Sequence, residues 1–353
     1  MSRTDAVWSE QGTTPDAIEA ALRTLLIEAH AEREEVFPAR VLNMITFVDL
    51  DWTGEIANRL RGVGRYHASR LVVLAYEPRR ERLDARVTVS THHPASPGEL
   101  ALLRETVVVE LGDRHLDDLR TIADPLVVTD LPTLLWSPHG HHETIDELLP
   151  LAQAVLLDSV EEPDHADALD RAAALSERAY VVDLAWLRST PWRERVAAMF
   201  DTPWLRPELQ LLSSVTVRHH PRSTAAAALL VGWLASRLHW QSSRLVGVNG
   251  ELTGRAHASR QDINVRLQTA PELQVPGLQG ITVETAAGHR LRLDRGPGGL
   301  RARFSGPREE DREWTIPGAS RGETGVLGEG IRQALLRDPT YLPALGDART
   351  MLA

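Results

Sequence analysis

Pro138-His139-Gly140-His141-His142-Glu143 gathers three imidazoles and a carboxylate into six residues. They follow the apolar run Leu131–Trp136, the position at which open α/β sheets place ligand loops. Neutral imidazoles suit Zn²⁺, and His-x-His is a spacing met in the metal-binding loops of metallohydrolases. Here His142-Glu143 stands where an Asp-His pair is expected, and further ligands would have to come from isolated residues such as His219 or His220. The residues leave two readings, a metal-dependent hydrolase built on His139 and His141 or a solvated histidine-rich loop, and the second asks less of the chain. His92-His93 and His219-His220, each beside a proline, read as surface turns.

A second chemistry is anion binding. His289-Arg290-Leu291-Arg292-Leu293 and Leu300-Arg301-Ala302-Arg303-Phe304 alternate with period 2 around Arg295-Gly296-Pro297-Gly298-Gly299, so they predict a hairpin. Leu291, Leu293, Leu300, Ala302 and Phe304 then face a core, and Arg290, Arg292, Arg301 and Arg303 share the outer face. Four guanidiniums in one strip could bind phosphates or an acidic partner surface. The plainer reading is a solvated face with Glu284 of the preceding strand pairing across to it.

The segment Asp183-Leu184-Ala185-Trp186-Leu187-Arg188-Ser189-Thr190-Pro191-Trp192-Arg193-Glu194 concentrates two Trp and two Arg behind a hydrophobic run. Trp needs a partner for its N–H when buried, and Arg is rarely buried unpaired. The cluster is therefore a specific buried junction or a recognition surface. Thr190 with Pro191 behind it predicts an N-cap and first helical residue for a helix over Trp192–Phe200.

Other chemistries are excluded by composition. The chain has no Cys and no Lys, so thiolate nucleophiles, Schiff bases, Ser-Lys pairs and a P-loop lysine are all ruled out. No Gly-x-Ser-x-Gly elbow is present, and the carboxylate runs Asp117-Asp118, Glu161-Glu162 and Glu309-Glu310-Asp311 sit in polar stretches. Gly322–Gly330 is glycine-rich and opens a helix, but without a lysine or a preceding strand it reads as a flexible connector. No catalytic set, cofactor motif or complete metal set emerges. A net charge of −10 argues against nucleic-acid and anionic-membrane partners. The longest apolar run, Ala225–Ala235, is about half of a membrane span. With no hydrophobic leader at the amino end, a cytoplasmic protein is expected.

These candidates must be positioned by a chain of 353 residues, long enough for two domains. Strands are predicted over Val41–Val48, Ser69–Tyr76, Leu83–Val89 (antiparallel to its neighbour), Thr106–Leu111, Leu131–Trp136, Ala154–Leu157 and Tyr180–Val182. Helices interleave from Thr14, Thr53, Leu116, Ile145 and His165. This alternation predicts an α/β domain, a mixed sheet with helices on its faces, over residues 1–175. Beyond it, a strand at Leu211–Arg218, an apolar helix at Ser223–Trp240, short strands from Asn264 to Phe304 and helices at Val326–Leu336 and Thr340–Leu352 predict a smaller α+β domain over 176–353.

Several of these stretches, in order along most of the chain, resemble one family. They begin at Gly64-Arg65-Tyr66-His67-Ala68-Ser69-Arg70-Leu71-Val72-Val73-Leu74 and continue through Asp130–Trp136 and Val155–Ser159. They are most specific over Asp183–Glu194 with Phe200-Asp201, and recur at Ala226–Trp240. The chain is similar there to the glucose-6-phosphate dehydrogenase assembly proteins, the OpcA family. The resemblance implies a non-enzymatic protein that binds glucose-6-phosphate dehydrogenase and promotes its assembly or activity in the oxidative pentose phosphate pathway. NADP and glucose 6-phosphate would belong to the partner, so no cofactor is expected on this chain. Cysteines implicated in redox control of cyanobacterial members have no counterpart here. Trp186, Arg188, Thr190, Trp192 and Arg193 are then candidates for the partner contact or for the rigid junction that shapes it. Arg65, His67, Ser69 and Arg70 form a second candidate patch. A sugar-phosphate-binding regulator using the arginine hairpin is a further alternative.

Overall fold

The computed structural model describes residues 5–31, 40–63, 69–92, 102–259, 261–317 and 322–353. Two compact units share the chain: Met1–Leu157 with Arg178–Val182 and Glu323–Leu336, and Asp158–Glu177 with Asp183–Gly322 and Arg337–Ala353. The division is not a single cut near residue 175. Each unit borrows segments from beyond it, and the two are of similar size.

In chain order the first half runs β1 (Ala6–Glu10), α1 (Pro15–Ala31), β2 (Leu42–Asp49), α2 (Thr53–Val63), β3 (Ser69–Tyr76), β4 (Asp84–His92) and β5 (Leu102–Leu111). It continues with α3 (Leu119–Ala123), β6 (Thr133–Trp136), α4 (His142–Leu148), β7 (Ala154–Leu157), α5 (His165–Ser176) and β8 (Tyr180–Asp183). The eight strands form one sheet in the order β1-β4-β5-β3-β2-β6-β7-β8. β5, β3, β2, β6 and β7 pair in parallel, while β4 and β1 extend the edge antiparallel. Residues Leu42–Val48 of β2 are buried without a break, as expected of a parallel strand covered on both faces. From β2 the chain first builds outward through β3 and then returns to build the other way from β6. The β2/β6 border is therefore a topological switch point, where doubly wound sheets bind their ligands.

Three expectations change here. The predicted helix from Leu116 breaks into a 3-10 turn at Asp113–Asp118, α3, and a second 3-10 turn at Asp124–Leu126, because Pro125 withholds an amide from any continuing α-helix. β1, Ala-Val-Trp-Ser-Glu, shows no clear strand alternation and is held by pairing with β4. The glycine-rich connector is itself helical: α9 (Gly322–Leu336) places Val326, Leu327 and Ile331 inward at helical spacing.

The second unit contains α5, α6 (Leu184–Arg188), α7 (Thr190–Met199), β9 (Leu212–His219), α8 (Thr224–Leu238), β10 (Gln241–Ser242), β11 (Val246–Val248) and β12 (Glu251–His257). There follow β13 (Asp262–Thr269), β14 (Leu278–Thr285), β15 (Arg290–Gly296), β16 (Gly299–Gly306), β17 (Glu309–Pro317) and α10 (Tyr341–Leu352). Its nine-stranded sheet runs β10-β12-β13-β9-β14-β15-β16-β17, with β11 also on β12. Only β9 and β13 pair in parallel. α8 is apolar nearly all round and correspondingly buried. It packs on β9, β13, α5, α6 and α10. Gly232 lets the α10 backbone approach, since a Cβ there would collide with the Ala344 carbonyl. The buried face of the sheet is continuous: Val215, Val265 and Val283 are in register, as are Val217, Leu267 and Ile281, then Leu291 with Phe304 and Leu293 with Ala302. The opposite face is polar.

Candidate functional site

The tryptophan–arginine segment is built from the end of β8. Asp183 caps α6, accepting the Ala185 amide at 2.9 Å. The same carboxylate accepts the Ser159 amide at 3.1 Å, the Ser159 hydroxyl at 2.5 Å and the Tyr341 hydroxyl at 3.3 Å. Burial, aided by the nearby charge of Asp158, pushes its pKa up to about 6. Asp158 in turn holds Arg188, with contacts of 2.8 and 2.6 Å to its two carboxylate oxygens.

Trp186 donates its indole N–H to Asp338 Oδ2 at 2.8 Å and packs against Tyr341, ring centroids 5.6 Å apart. The Arg193 guanidinium lies over the Trp186 ring, 3.4 Å from its centroid. It donates to Ser189 Oγ at 3.1 Å, the Trp186 carbonyl at 3.2 Å and Thr190 Oγ1 at 2.9 Å, with Asp338 at 3.9 Å. Burial lowers its pKa to about 10, still charged at neutral pH. Trp186, Trp192 and Arg193 are 2%, 5% and 8% exposed. Among them, Trp186 and Arg193 hold each other.

Thr190 is not a cap. Ser189 closes α6 in a helical conformation and α7 follows at once, so no extended residue precedes the second helix. The Thr190 hydroxyl is engaged by Arg193 instead.

The second patch also turns inward where it is described. Arg65 and His67 lie outside the described residues. Ser69 opens β3 opposite Leu42. Arg70 is buried, its Nε 2.7 Å from Glu105 Oε2 and its Nη1 donating to the Leu126 carbonyl at 3.2 Å. Glu105, also buried, takes Arg40 on its other oxygen.

The histidine loop stands at the β2/β6 switch point with residues that the sequence did not single out. His139 stacks on Trp52, centroids 5.1 Å apart, and burial lowers its pKa. His141, at φ 58°, sets its ring against Phe47 and Tyr76 at 5.0 and 5.9 Å, with Nε2 3.1 Å from Asp49 Oδ1. The Tyr76 hydroxyl donates to Asp113, which raises its pKa to about 12. Among the described residues no group of three His, Asp or Glu is placed to hold a metal.

In a dinucleotide fold the turn after the central strand is glycine-rich, and its helix N-terminus faces a pyrophosphate. Here that turn is Asp49-Leu50-Asp51-Trp52-Thr53-Gly54, with a 3-10 turn at Leu50–Trp52 before α2. Two carboxylates and an indole occupy the place of the phosphate loop. The signal was legible as Asp-x-Asp-Trp where glycines would be needed.

The arginine hairpin forms as predicted, β15 against β16, with Leu291, Leu293, Leu300, Ala302 and Phe304 all buried. Arg290 meets Glu284 at 2.7 Å, Arg292 meets Asp294 at 2.6 Å, and Arg301 and Arg303 both meet Glu313 at 3.4 and 2.6 Å.

Two α/β units, the first with a doubly wound, largely parallel sheet whose strand order reverses at the β2/β6 border, define the fold class. Family models cover both halves. The Glucose-6-phosphate dehydrogenase subunit N-terminal domain matches residues 61–174 and the C-terminal domain of the same subunit matches residues 179–345. The chain belongs to this OpcA family. It is 26% identical over 190 residues to an OxPP cycle protein OpcA of Synechococcus elongatus, an alignment covering 52% of this chain and 43% of the relative. It is 32% identical over 120 residues to that of Nostoc punctiforme, covering 33% of this chain and 26% of the relative. The matched part thus spans less than half of these relatives. Among solved structures, an oxidoreductase domain protein from Kribbella flavida is similar at TM-score 0.49 and 13% identity, covering 88% of this chain and 95% of that one. A scyllo-inositol dehydrogenase from Lactobacillus casei is similar at TM-score 0.46 and 11% identity, covering 88% and 96%.

Proposed function

We propose that this chain is a non-enzymatic partner of glucose-6-phosphate dehydrogenase that promotes the assembly or activity of that enzyme. The partner is supported by membership of a family whose two domain models are both described as subunits of the dehydrogenase. The non-catalytic half rests on one observation. Trp52 stacked on His139, with Asp49 beside His141, stands at the switch point where a doubly wound sheet would carry a phosphate loop. Carboxylates there repel phosphate instead of binding it. NADP and glucose 6-phosphate are then held by the dehydrogenase. No helix of the described residues is long and apolar enough to cross a membrane.

An activator of this kind binds one state of its partner better than another, and its effect cannot exceed that difference in affinity. Size-exclusion chromatography of this chain with the dehydrogenase of the same organism tests the reading. Co-elution of both chains at micromolar concentration is expected. Separate elution at every ratio would refute it.

A further inference from the structure

With Trp186, Trp192 and Arg193 buried, a partner contact calls for more exposed residues. The polar face of the nine-stranded sheet is ordered in rows that the register fixes strand by strand. The central row runs Thr253, Arg266, Thr216, Thr282, Arg292, Arg303, Glu313 across seven strands, about 30 Å at the usual strand spacing. One flanking row adds Arg255, Glu284 and Arg290, and the other adds Glu251, Arg218, Asp294 and Arg301. Seven arginines and four carboxylates share these three rows, with Asp262 beside Arg255 and Asp311 near Arg303 at their margins, on a chain whose net charge is −10.

The carboxylates are shared, which leaves guanidinium donors over. Asp294 serves both Arg292 and Arg218, the latter reaching across β14 where Gly280 has no side chain to block it. Glu313 serves both Arg301 and Arg303. Arg292 and Arg303 stand directly opposite each other, a like-charge pairing that costs the sheet stability. Five arginines and one glutamate line a shallow concavity of about 730 Å³ on this face.

We infer that this face is the docking surface for the proposed dehydrogenase partner, and that it meets an acidic patch of that protein. The inference rests on the reading of the partner given above. A small phosphorylated ligand is the poorer occupant, because the side chains of Arg290, Arg292, Arg301 and Arg303 are 44% to 61% exposed and a small-molecule site needs enclosure. A polyanionic nucleic acid is disfavoured by the charge of the rest of the chain. Wide, solvated and rich in forked donors, the face matches a protein surface carrying Asp and Glu.

The test is affinity for the dehydrogenase at low salt, measured for the native chain, for Arg292→Gln/Arg303→Gln and, as control, for Arg23→Gln, whose side chain on α1 is exposed. The double variant relieves a like-charge pair, so its melting temperature should hold, and its affinity should fall at least tenfold while the control binds normally. Equal affinity of the double variant overturns this docking surface and leaves the partner reading standing. Absence of any complex with the native chain overturns both. Because the chain has no cysteine, Thr282→Cys carrying a photo-crosslinker gives a second measurement that survives misfolding of the double variant. It should crosslink to the dehydrogenase while a label at Arg23→Cys does not. The opposite pattern would also overturn the surface.

Discussion

The Arg193 guanidinium lies 3.4 Å from the centroid of the Trp186 ring, and the indole N–H and the guanidinium converge on the same carboxylate, Asp338. A planar cation, a ring face and one carboxylate make a unit in which each member satisfies another. This is why so polar a cluster can be buried.

Removing one member leaves the others unpaired. Trp186→Ala should destabilise the protein by about 3–5 kcal/mol through the cavity and the lost bond to Asp338. Arg193→Lys should cost about 1–3 kcal/mol, because an ammonium cannot reproduce the fork to Ser189, Thr190 and the Trp186 carbonyl. Urea denaturation measures both. A stability change under about 0.5 kcal/mol for either, in the range of ordinary surface substitutions, would contradict the packing role.

Asp183 makes stability depend on pH in a definite direction. Its folded pKa, about 6, lies above the ordinary 3.8, so the folded state binds the extra proton between those values. The contribution is fully present below about pH 4 and is lost as pH rises through 6, by up to about 3 kcal/mol. Asp183→Asn cannot ionise. The stability advantage of the native chain over this variant should therefore shrink between pH 4 and pH 7, as followed by thermal melts at matched ionic strength. An advantage that grows over that interval would reverse the assignment.

Arg70 and Arg40 share Glu105 in the interior of the first unit. Glu105→Gln leaves two guanidiniums without their counter-charge and should cost about 3–5 kcal/mol. Circular-dichroism melts check this, and an unchanged melting temperature would mean that the pair contributes nothing.

The switch point makes a prediction about ligands. Millimolar NADP should leave the melting temperature of this chain where it was, since binding to the folded state would raise it. A dose-dependent rise would show a nucleotide site despite Trp52 and the two carboxylates.

Much of the fold was legible, and the places where reading failed share a cause. Buried strands such as Leu42–Val48 and the alternating hairpin at Arg290–Phe304 announce themselves because their periodicity reports one or two covered faces. β1, β10 and β11 do not, because they are edge segments held by pairing rather than by a covered face. The tryptophan–arginine segment is legible as special, and its sequence leaves a buried junction and a recognition surface both open. Its burial depends on Asp338 and Tyr341, about 150 residues further on, and composition alone cannot supply such partners. The Asp-x-Asp-Trp turn is local, but that it stands at a switch point follows only from strand order, with β6 beside β2.

The proposed role separates a protein that acts on glucose-6-phosphate dehydrogenase from one that is itself an enzyme. Titrating the purified chain into the dehydrogenase of the same organism, with NADP and glucose 6-phosphate present, while following NADPH formation, tests it most directly. A saturable change in dehydrogenase rate at a fixed ratio of the two chains is expected, with no NADPH from this chain alone. A rate that stays flat through micromolar excess, or NADPH formed without the dehydrogenase, would contradict it.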